Sequence, residues 1–219
     1  HSLGEYSALG AVNSFSFEDG LKLVRKRGIL MDEAVPEGQG AMAALIGMEK
    51  KQVESLCTEI EGVLEIANYN TPNQIVISGE NEAIESGLKL AEEMGARKTI
   101  KLNVSGPFHS SLMKPVQTKL QKEIENTNLN NAEIPIIANV TAEKITSAEA
   151  IKKELLSQLN STVLWVNTIV LMLNQGINTI IEVGPGRVLK GLIRRIDRTP
   201  QVLNVQDDKS LDKTLNKLK

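Results

Sequence analysis

Residues 41–102 alternate between strand-like and helix-like patterns in the order strand, helix, strand, strand, helix, strand. Short apolar runs bounded by turn residues predict the strands, and longer runs with apolar residues at helical spacing predict the helices. This order is that of the split βαβ unit, a ferredoxin-like fold in which two helices cover one face of an antiparallel sheet. The predicted strands are 41–47, 64–69, 74–79 and 97–102, and the predicted helices are 50–61 and 80–94.

The residues on either side of this unit predict a larger α/β body. Because strands alternate with helices there, we expect a mainly parallel sheet. We therefore predict a discontinuous body of residues 1–37 and 105–219, into which a small ferredoxin-like domain of residues 38–104 is inserted. The body is predicted to contain strands at 134–140 and 179–183 and helices at 2–12, 111–125, 147–159, 162–174 and 187–196.

The helix that precedes the small domain has a clear start signal. Ser16 and Asp19 form a pair typical of a capping box, and the turn-forming residues 36–40 predict the end of the helix. Arg27 is predicted to lie on the shoulder of the apolar stripe. That stripe comprises Phe17, Leu21, Val24, Gly28 and Met31.

The composition excludes several classes of protein. A net charge of -2 over 219 residues gives no global basic field for nucleic acid or an anionic membrane. No apolar run approaches the roughly 20 residues that a membrane-spanning helix needs. The single cysteine, Cys57, fits a reducing compartment, so we expect a cytoplasmic protein, which we also expect to be monomeric.

We expect no metal and no cofactor. The two histidines and Cys57 lie far apart in the sequence and show no ligand spacing. The Gly184-Pro185-Gly186-Arg187 segment lacks the spacing of dinucleotide-binding and P-loop motifs. We therefore interpret it as a tight turn from a strand to a helix.

Ser2 and Gly4 match the last part, S-x-G, of a G-x-S-x-G nucleophile elbow, and a helical pattern follows them as it does in that motif. Such a turn presents a serine hydroxyl at a helix N-terminus, where the helix dipole supports an oxyanion. The first glycine of the motif and its strand would precede His1, outside this sequence. On spacing alone, a serine that only caps the helix is the alternative.

His109 is the candidate general base for such a serine. It lies in the turn-rich loop 105–110, where functional residues tend to collect. His1 is badly placed, because successive side chains at a strand end point to opposite faces. The alternative for His109 is a solvated loop histidine.

Arg27 is the third candidate. A guanidinium that leans inward needs an anionic partner, either a structural carboxylate or a substrate carboxylate held bidentately. From the residues alone, a structural ion pair or a side chain that snorkels to solvent is the alternative.

Together these segments resemble the malonyl-CoA:acyl carrier protein transacylases. Residues 1–9 are similar to the family's active-site segment, in which a glycine precedes the histidine. The resemblance runs to about residue 198 and implies an α/β-hydrolase-like body with an inserted ferredoxin-like domain. The other stretches that match in the family's order are 24–28, 33–38, 40–44, 106–113 and 182–189.

The resemblance implies a ping-pong acyl transfer that supplies fatty-acid synthesis. Ser2 is implied to be the nucleophile and His109 its base, and malonyl-CoA is implied to be the acyl donor. Arg27 is implied to bind the malonyl carboxylate, and the phosphopantetheine thiol of acyl carrier protein to accept the group from a malonyl-serine ester.

The resemblance also implies roles for three supporting residues. Leu3 would supply a backbone N–H to the oxyanion hole, and the backbone carbonyl of Gln158 would orient His109. Asn139 would be a further polar residue of the substrate site. The family's N-terminal section, whose glycine–glutamine loop supplies the second oxyanion donor, is expected to be lacking from this chain.

Two other classes stay open at this point. A serine hydrolase such as a thioesterase would share Ser2 and His109, but typically uses an Asp or Glu as its third member and has no need for Arg27. A non-enzymatic fragment that only binds carrier protein is the other.

A carrier protein of this kind is acidic, so a basic docking patch is expected. A solvated charged face is the alternative for each candidate cluster. The two clusters are Arg97, Lys98 and Lys101, and Arg194, Arg195 and Arg198.

Overall fold

Helices and strands alternate along most of the chain in a computed structural model that describes residues 1–36 and 38–219. Glu37, within the predicted 36–40 turn and at the predicted end of the first body segment, lies outside the described residues. The α-helices are α1 (Ser2–Ala11), α2 (Phe17–Glu33), α3 (Lys50–Glu59), α4 (Asn81–Glu93), α5 (Gln117–Asn126), α6 (Ala148–Gln158), α7 (Trp165–Asn174), α8 (Val188–Ile196) and α9 (Asp208–Leu218). The strands are β1 (Gly40–Ile46), β2 (Leu64–Thr71), β3 (Gln74–Glu80), β4 (Lys98–Lys101), β5 (Ile136–Ile137), β6 (Lys144–Ile145), β7 (Thr179–Val183) and β8 (Gln201–Val205).

The strands β1 to β4 form one antiparallel sheet in the order β2-β3-β1-β4. Helices α3 and α4 cover one face through a core that includes Leu45, Leu56 and Ile84. Met42 and Val76 lie in a separate cluster on the other face, which explains why β1 is apolar on both sides. The predicted ferredoxin-like order is confirmed, while the limits 38 and 104 stay a prediction.

The rest of the chain forms a mixed α/β body. Helices α1, α2, α5 and α6 share a core in which Tyr6 and Leu9 of α1 are buried. The strands β7 and β8 pair in parallel, as predicted for the strands of the body, and α7 and α8 pack against them.

The strand predicted at 134–140 is much shorter in the structure. Only β5 pairs, antiparallel to β6. The N–H groups of Asn139 and Val140 instead donate to the carboxylates of Glu5 and Glu154, at 3.0 and 2.8 Å. These side-chain acceptors replace a neighbouring strand.

The predicted cap of α2 is confirmed, but its predicted apolar stripe is wrong. The Ser16 hydroxyl accepts from the Asp19 N–H at 3.1 Å. Phe17 and Leu21 are exposed, 84% and 59%, because the buried face is turned by about one position. That face comprises Gly20, Leu23, Arg27, Leu30 and Met31.

Three segments of the body differ from the sequence-based helices. The predicted 111–125 helix begins as a 3-10 helix, Ser111–Val116, because the ring of Pro115 would clash with the carbonyl four residues before it in an α-helix. Helix α7 begins at Trp165 rather than at 162, since Val163 pairs with the edge of β2. Beyond Ile196 the structure has β8 and α9, where the sequence analysis predicts no element.

Val163 joins the small sheet to the body. Its N–H donates to the carbonyl of Ala67, and its carbonyl accepts from the N–H of Tyr69, both at 2.9 Å. The edge strand β2 is thereby fixed next to the end of α6.

In the part of the chain that the structure describes, no helix is both long and apolar enough to cross a membrane.

Candidate active site

Ser2 is the first residue of α1, and its hydroxyl does not cap the helix. The first intrahelical bond is from the Glu5 N–H to the His1 carbonyl, at 3.1 Å. The N–H groups of Ser2, Leu3 and Gly4 therefore precede the first bond of the helix, where an anion is favoured. The Ser2 hydroxyl accepts from Arg27 Nη2 at 2.6 Å and donates to Gln158 Oε1 at 3.4 Å.

A cavity of about 500 Å³ brings the predicted residues together. Ser2, Leu3, Arg27 and His109 all line it, between the body and the small sheet. Its lining residues from that sheet, which include Met42 and Asn68, were not predicted from the sequence. The signal for Asn68 was a polar residue at the position where the alternation of Leu64 and Ile66 would continue with an apolar one.

His109 is buried and oriented by the main chain. Its Nδ1 donates to the Gln158 carbonyl at 2.8 Å, which leaves Nε2 as the acceptor of the neutral ring. Burial, and next the charge of Arg27, lower the pKa of His109 to about 4, so the ring is neutral at neutral pH. Its φ of 60° is unusual for a residue with a Cβ, a kind of strain that clusters at functional sites.

Arg27 is 7% exposed and contacts neutral groups. Besides Ser2, it donates from Nη2 to Gln158 Oε1 at 3.1 Å, and its Cζ lies 5.2 Å from the centre of the Tyr6 ring. Among residues 1–36 and 38–219, Arg27 makes no salt bridge. The sequence-based structural ion pair is therefore not observed within those ranges.

Gln158 contacts all three of these residues. Its carbonyl holds His109, its Oε1 accepts from Arg27 and Ser2, and its Nε2 donates to the Ser2 carbonyl at 3.1 Å. Nε2 also donates to Glu5. Only the carbonyl of Gln158 was predicted from the sequence, and neither its side chain nor Glu5 was. The signal for the side chain was the i,i+4 spacing that places Glu154 and Gln158 on one face of α6.

The structure places Asn139 on the other side of α1. Its N–H is held by Glu5 and its carbonyl accepts from the Leu164 N–H at 2.8 Å. Asn139 lines a second cavity of about 490 Å³ together with His1 and Trp165. Asn139 thus does not line the cavity that holds Ser2 and His109.

The family is decided by comparison with known proteins. A family model described as the acyl transferase domain matches residues 1–211. A malonyl CoA-acyl carrier protein transacylase of Bacillus subtilis (strain 168) is 44% identical over 222 residues, which cover 100% of this chain and 70% of that protein. The chain belongs to the malonyl-CoA:acyl carrier protein transacylase family.

Solved structures of this transacylase family share the fold. One from Coxiella burnetii superposes with a TM-score of 0.97 at 39% identity, covering 100% of this chain and 70% of that chain. Another, described as a type II PKS acyl-carrier protein in complex with its malonyl-transacylase, has a TM-score of 0.97 at 40% identity. It covers 99% of this chain and 71% of that chain.

Within this transacylase fold, one residue of each basic cluster lies at the same end of the small sheet. Gln74 of β3, Ile46 of β1 and Lys98 of β4 form one row across the sheet. Arg195 Nη1 of α8 donates to Gln74 Oε1 at 3.0 Å, so Arg195 and Lys98 lie at the same end of the sheet.

The arrangement suits acyl transfer by a serine. A hydroxyl at a helix N-terminus, a neutral imidazole and a buried guanidinium share one cavity. Within the described ranges, no group of three or more His, Cys, Asp or Glu side chains is arranged to hold a metal ion.

Proposed function

We propose that this protein transfers the malonyl group from malonyl-CoA to the phosphopantetheine thiol of acyl carrier protein through a malonyl ester on Ser2. This reaction supplies fatty-acid synthesis. The observation that carries the proposal is the 2.6 Å contact between Arg27 Nη2 and Ser2 Oγ, in the cavity that His109 also lines. It places a binding group for a carboxylate directly beside the nucleophile.

His109 moves the proton in both half-reactions. As Ser2 Oγ bonds to the thioester carbonyl carbon, Nε2 takes the hydroxyl proton and passes it to the sulfur of coenzyme A when the C–S bond breaks. The free N–H of Leu3 at the start of α1 stabilises the tetrahedral oxyanion. The carrier thiol then attacks the ester, with its proton taken by His109 and returned to Ser2 Oγ.

Arg27 accounts for selection of malonyl over neutral acyl groups. The distal carboxylate of malonyl is only two C–C bonds from the carbonyl carbon, so in the ester it lies beside Ser2 Oγ. There it replaces the neutral acceptors Ser2 and Gln158 with a charge-assisted partner for Arg27. The carboxylate also offsets the Arg27 charge that lowers the pKa of His109, so malonyl binding strengthens the base.

Carrier-protein docking is proposed at the basic end of the small sheet. Lys98 and Arg195 are both exposed there and suit the acidic surface of a carrier. The single cysteine, Cys57, supports a cytoplasmic location.

The Arg27→Ala variant tests the proposed selectivity. It removes the charge-assisted contact, so kcat/KM for malonyl-CoA is expected to fall by roughly a hundredfold or more. Activity with acetyl-CoA is expected to rise relative to malonyl-CoA, because the methyl group no longer faces a buried cation. Arg27→Lys is expected to restore only part of the malonyl activity, since an ammonium lacks the planar fork.

Steady-state kcat/KM for both substrates in the three proteins is the measurement. An unchanged malonyl-to-acetyl ratio with a lowered Tm would make Arg27 a structural residue and contradict the proposal. The hydrolase alternative predicts free malonate at the same rate with and without the carrier thiol.

A further inference from the structure

Two glutamates lie buried side by side behind the active site. Glu5 of α1 is 3% exposed and Glu154 of α6 is 6% exposed. They accept from the consecutive N–H groups of Asn139 and Val140, which brings both carboxyl groups to the same stretch of main chain. Neither makes a salt bridge with a lysine or arginine among residues 1–36 and 38–219.

Two buried carboxyl groups at one stretch of main chain repel each other when both are ionised. A proton on one of them removes this repulsion and supplies the hydrogen-bond donor that two carboxylates lack. Burial raises the pKa of both groups, and the charge of Glu154 adds to burial in raising the pKa of Glu5 to about 7. At neutral pH the pair can therefore hold one proton and one negative charge.

Glu5 also fixes which way the Gln158 amide points. One oxygen of Glu5 accepts from Asn139, and the other accepts from Gln158 Nε2. With its NH₂ group held by Glu5, Gln158 must turn its Oε1 toward Arg27 and Ser2. The reversed amide would aim two N–H donors at the guanidinium, which itself has only donors.

We propose that Glu5 and Glu154 share one proton and act as positioning residues that hold the Gln158 amide oxygen toward Arg27 and Ser2. This inference rests on the proposed function for its kinetic consequences. Loss of the shared proton at higher pH places two adjacent charges in a buried site, and the repulsion shifts the Glu5 carboxylate that holds Gln158. Acylation of Ser2 is therefore limited on the alkaline side by this pair.

Other titratable groups face the pair from the surrounding elements. Arg27 of α2 and His109 lie beyond Gln158, which contacts both. His1 and, from β6, Lys144 line the second cavity together with Glu5. Burial and the charge of Arg27 lower the pKa of His109 to about 4, so its proton loss lies well below pH 7.

Isosteric amide variants separate the two roles. In Glu5→Gln an NH₂ group competes with the Gln158 NH₂ group, so the amide of Gln158 reverses and kcat is expected to fall at least tenfold at pH 7. In Glu154→Gln the new NH₂ group donates to Glu5 in place of the shared proton. The alkaline limb of the acylation rate is then expected to move up by at least one pH unit.

The control is Glu149→Gln, an exposed position on the same helix, which is expected to keep the wild-type profile. The measurements are the rate of Ser2 acylation by malonyl-CoA from pH 5 to 9, and the infrared carbonyl band of a protonated carboxyl group at pH 6. The band is expected in the wild type and in E149Q, and is expected to weaken in E5Q and E154Q.

Two results would overturn the inference. One is a wild-type protein without the infrared band, and the other is an active wild type whose kcat and alkaline limb are unchanged by E5Q and E154Q. The band is recorded without substrate. A protein that shows it but forms no malonyl-enzyme thus contradicts the proposed function and supports the shared proton.

Discussion

At the scale of single residues, the site consists of buried polar groups that satisfy one another. Gln158 illustrates this, because one side chain and its carbonyl contact Ser2, Arg27, His109 and Glu5. The motif segments predicted Ser2, Arg27 and His109. They could not predict the contact of Glu5 with Gln158, because these residues lie 153 positions apart in the sequence and leave no local pattern.

His109 and Glu5 are expected to impose opposite pH dependences on stability. The lowered pKa of His109 gives stability that is present above its ordinary value of 6.5 and is lost as pH falls toward about 4. The raised pKa of Glu5 gives stability that is present below its ordinary value of 4.5 and is lost as pH rises toward about 7. Between pH 5 and 6.5 the two slopes partly cancel.

Urea unfolding at several pH values tests this balance. The His109→Gln variant lacks the stability that His109 contributes as pH rises. Its free energy of unfolding is therefore expected to fall from pH 5 to pH 7. In Glu5→Gln it is expected to rise more steeply with pH than in the wild type. Parallel curves for all three proteins would show that neither group has the assigned shift.

At the scale of elements, start signals and strand order are the most predictable features. The capping bond of Ser16 and the antiparallel order of β1 to β4 follow from local sequence. The buried face of α2 does not follow from local sequence. Arg27 stands in the middle of that face in place of an apolar residue, and Phe17, the first residue of the helix, is exposed. The polar site thus breaks the periodicity on which the prediction depends.

Gly40, the first residue of β1, is expected to set the position of the His109 loop. A Cβ at Gly40 would overlap the ring of Pro107, two residues before His109. Gly40→Ala is therefore expected to displace the loop, lowering kcat about tenfold and stability by roughly 1–3 kcal/mol. Gly191→Ala of α8, where a Cβ meets open space, is the control and is expected to keep wild-type kcat.

Kinetics and urea unfolding of the two glycine variants give the comparison. Equal kcat in G40A and G191A would show that the contact with Pro107 does not position His109.

The basic end of the small sheet gives a prediction for carrier-protein binding. Lys98→Glu combined with Arg195→Glu reverses two exposed charges at one end of the sheet. The KM for carrier protein is expected to rise at least tenfold at low salt, because an acidic partner is now repelled. The KM for malonyl-CoA is expected to stay constant.

Lys152→Glu and Lys153→Glu give a matched double charge reversal on α6, which packs in the core of the body with α1, α2 and α5. A similar rise of the carrier KM in this control would assign the effect to net charge rather than to a docking surface.

At the scale of the whole molecule, the cavity that holds Ser2 and His109 exists because the small domain meets the body. The small sheet supplies Met42 and Asn68, the body supplies Ser2 and Arg27, and Val163 fixes the edge of the small sheet to the body. The sequence predicted the inserted small domain and the α/β body from their patterns. It could not predict how they meet, since that depends on main-chain bonds between Val163 and β2.

The most direct test of malonyl transfer is the intact mass of the protein after mixing with malonyl-CoA, followed by a chase with carrier protein. The wild type is expected to gain one malonyl group and to lose it only when the carrier bears its phosphopantetheine thiol. Ser2→Ala is expected to gain none, and His109→Ala to slow both steps. An adduct that forms equally in Ser2→Ala, or that leaves the wild type equally fast without the thiol, would contradict malonyl transfer through Ser2.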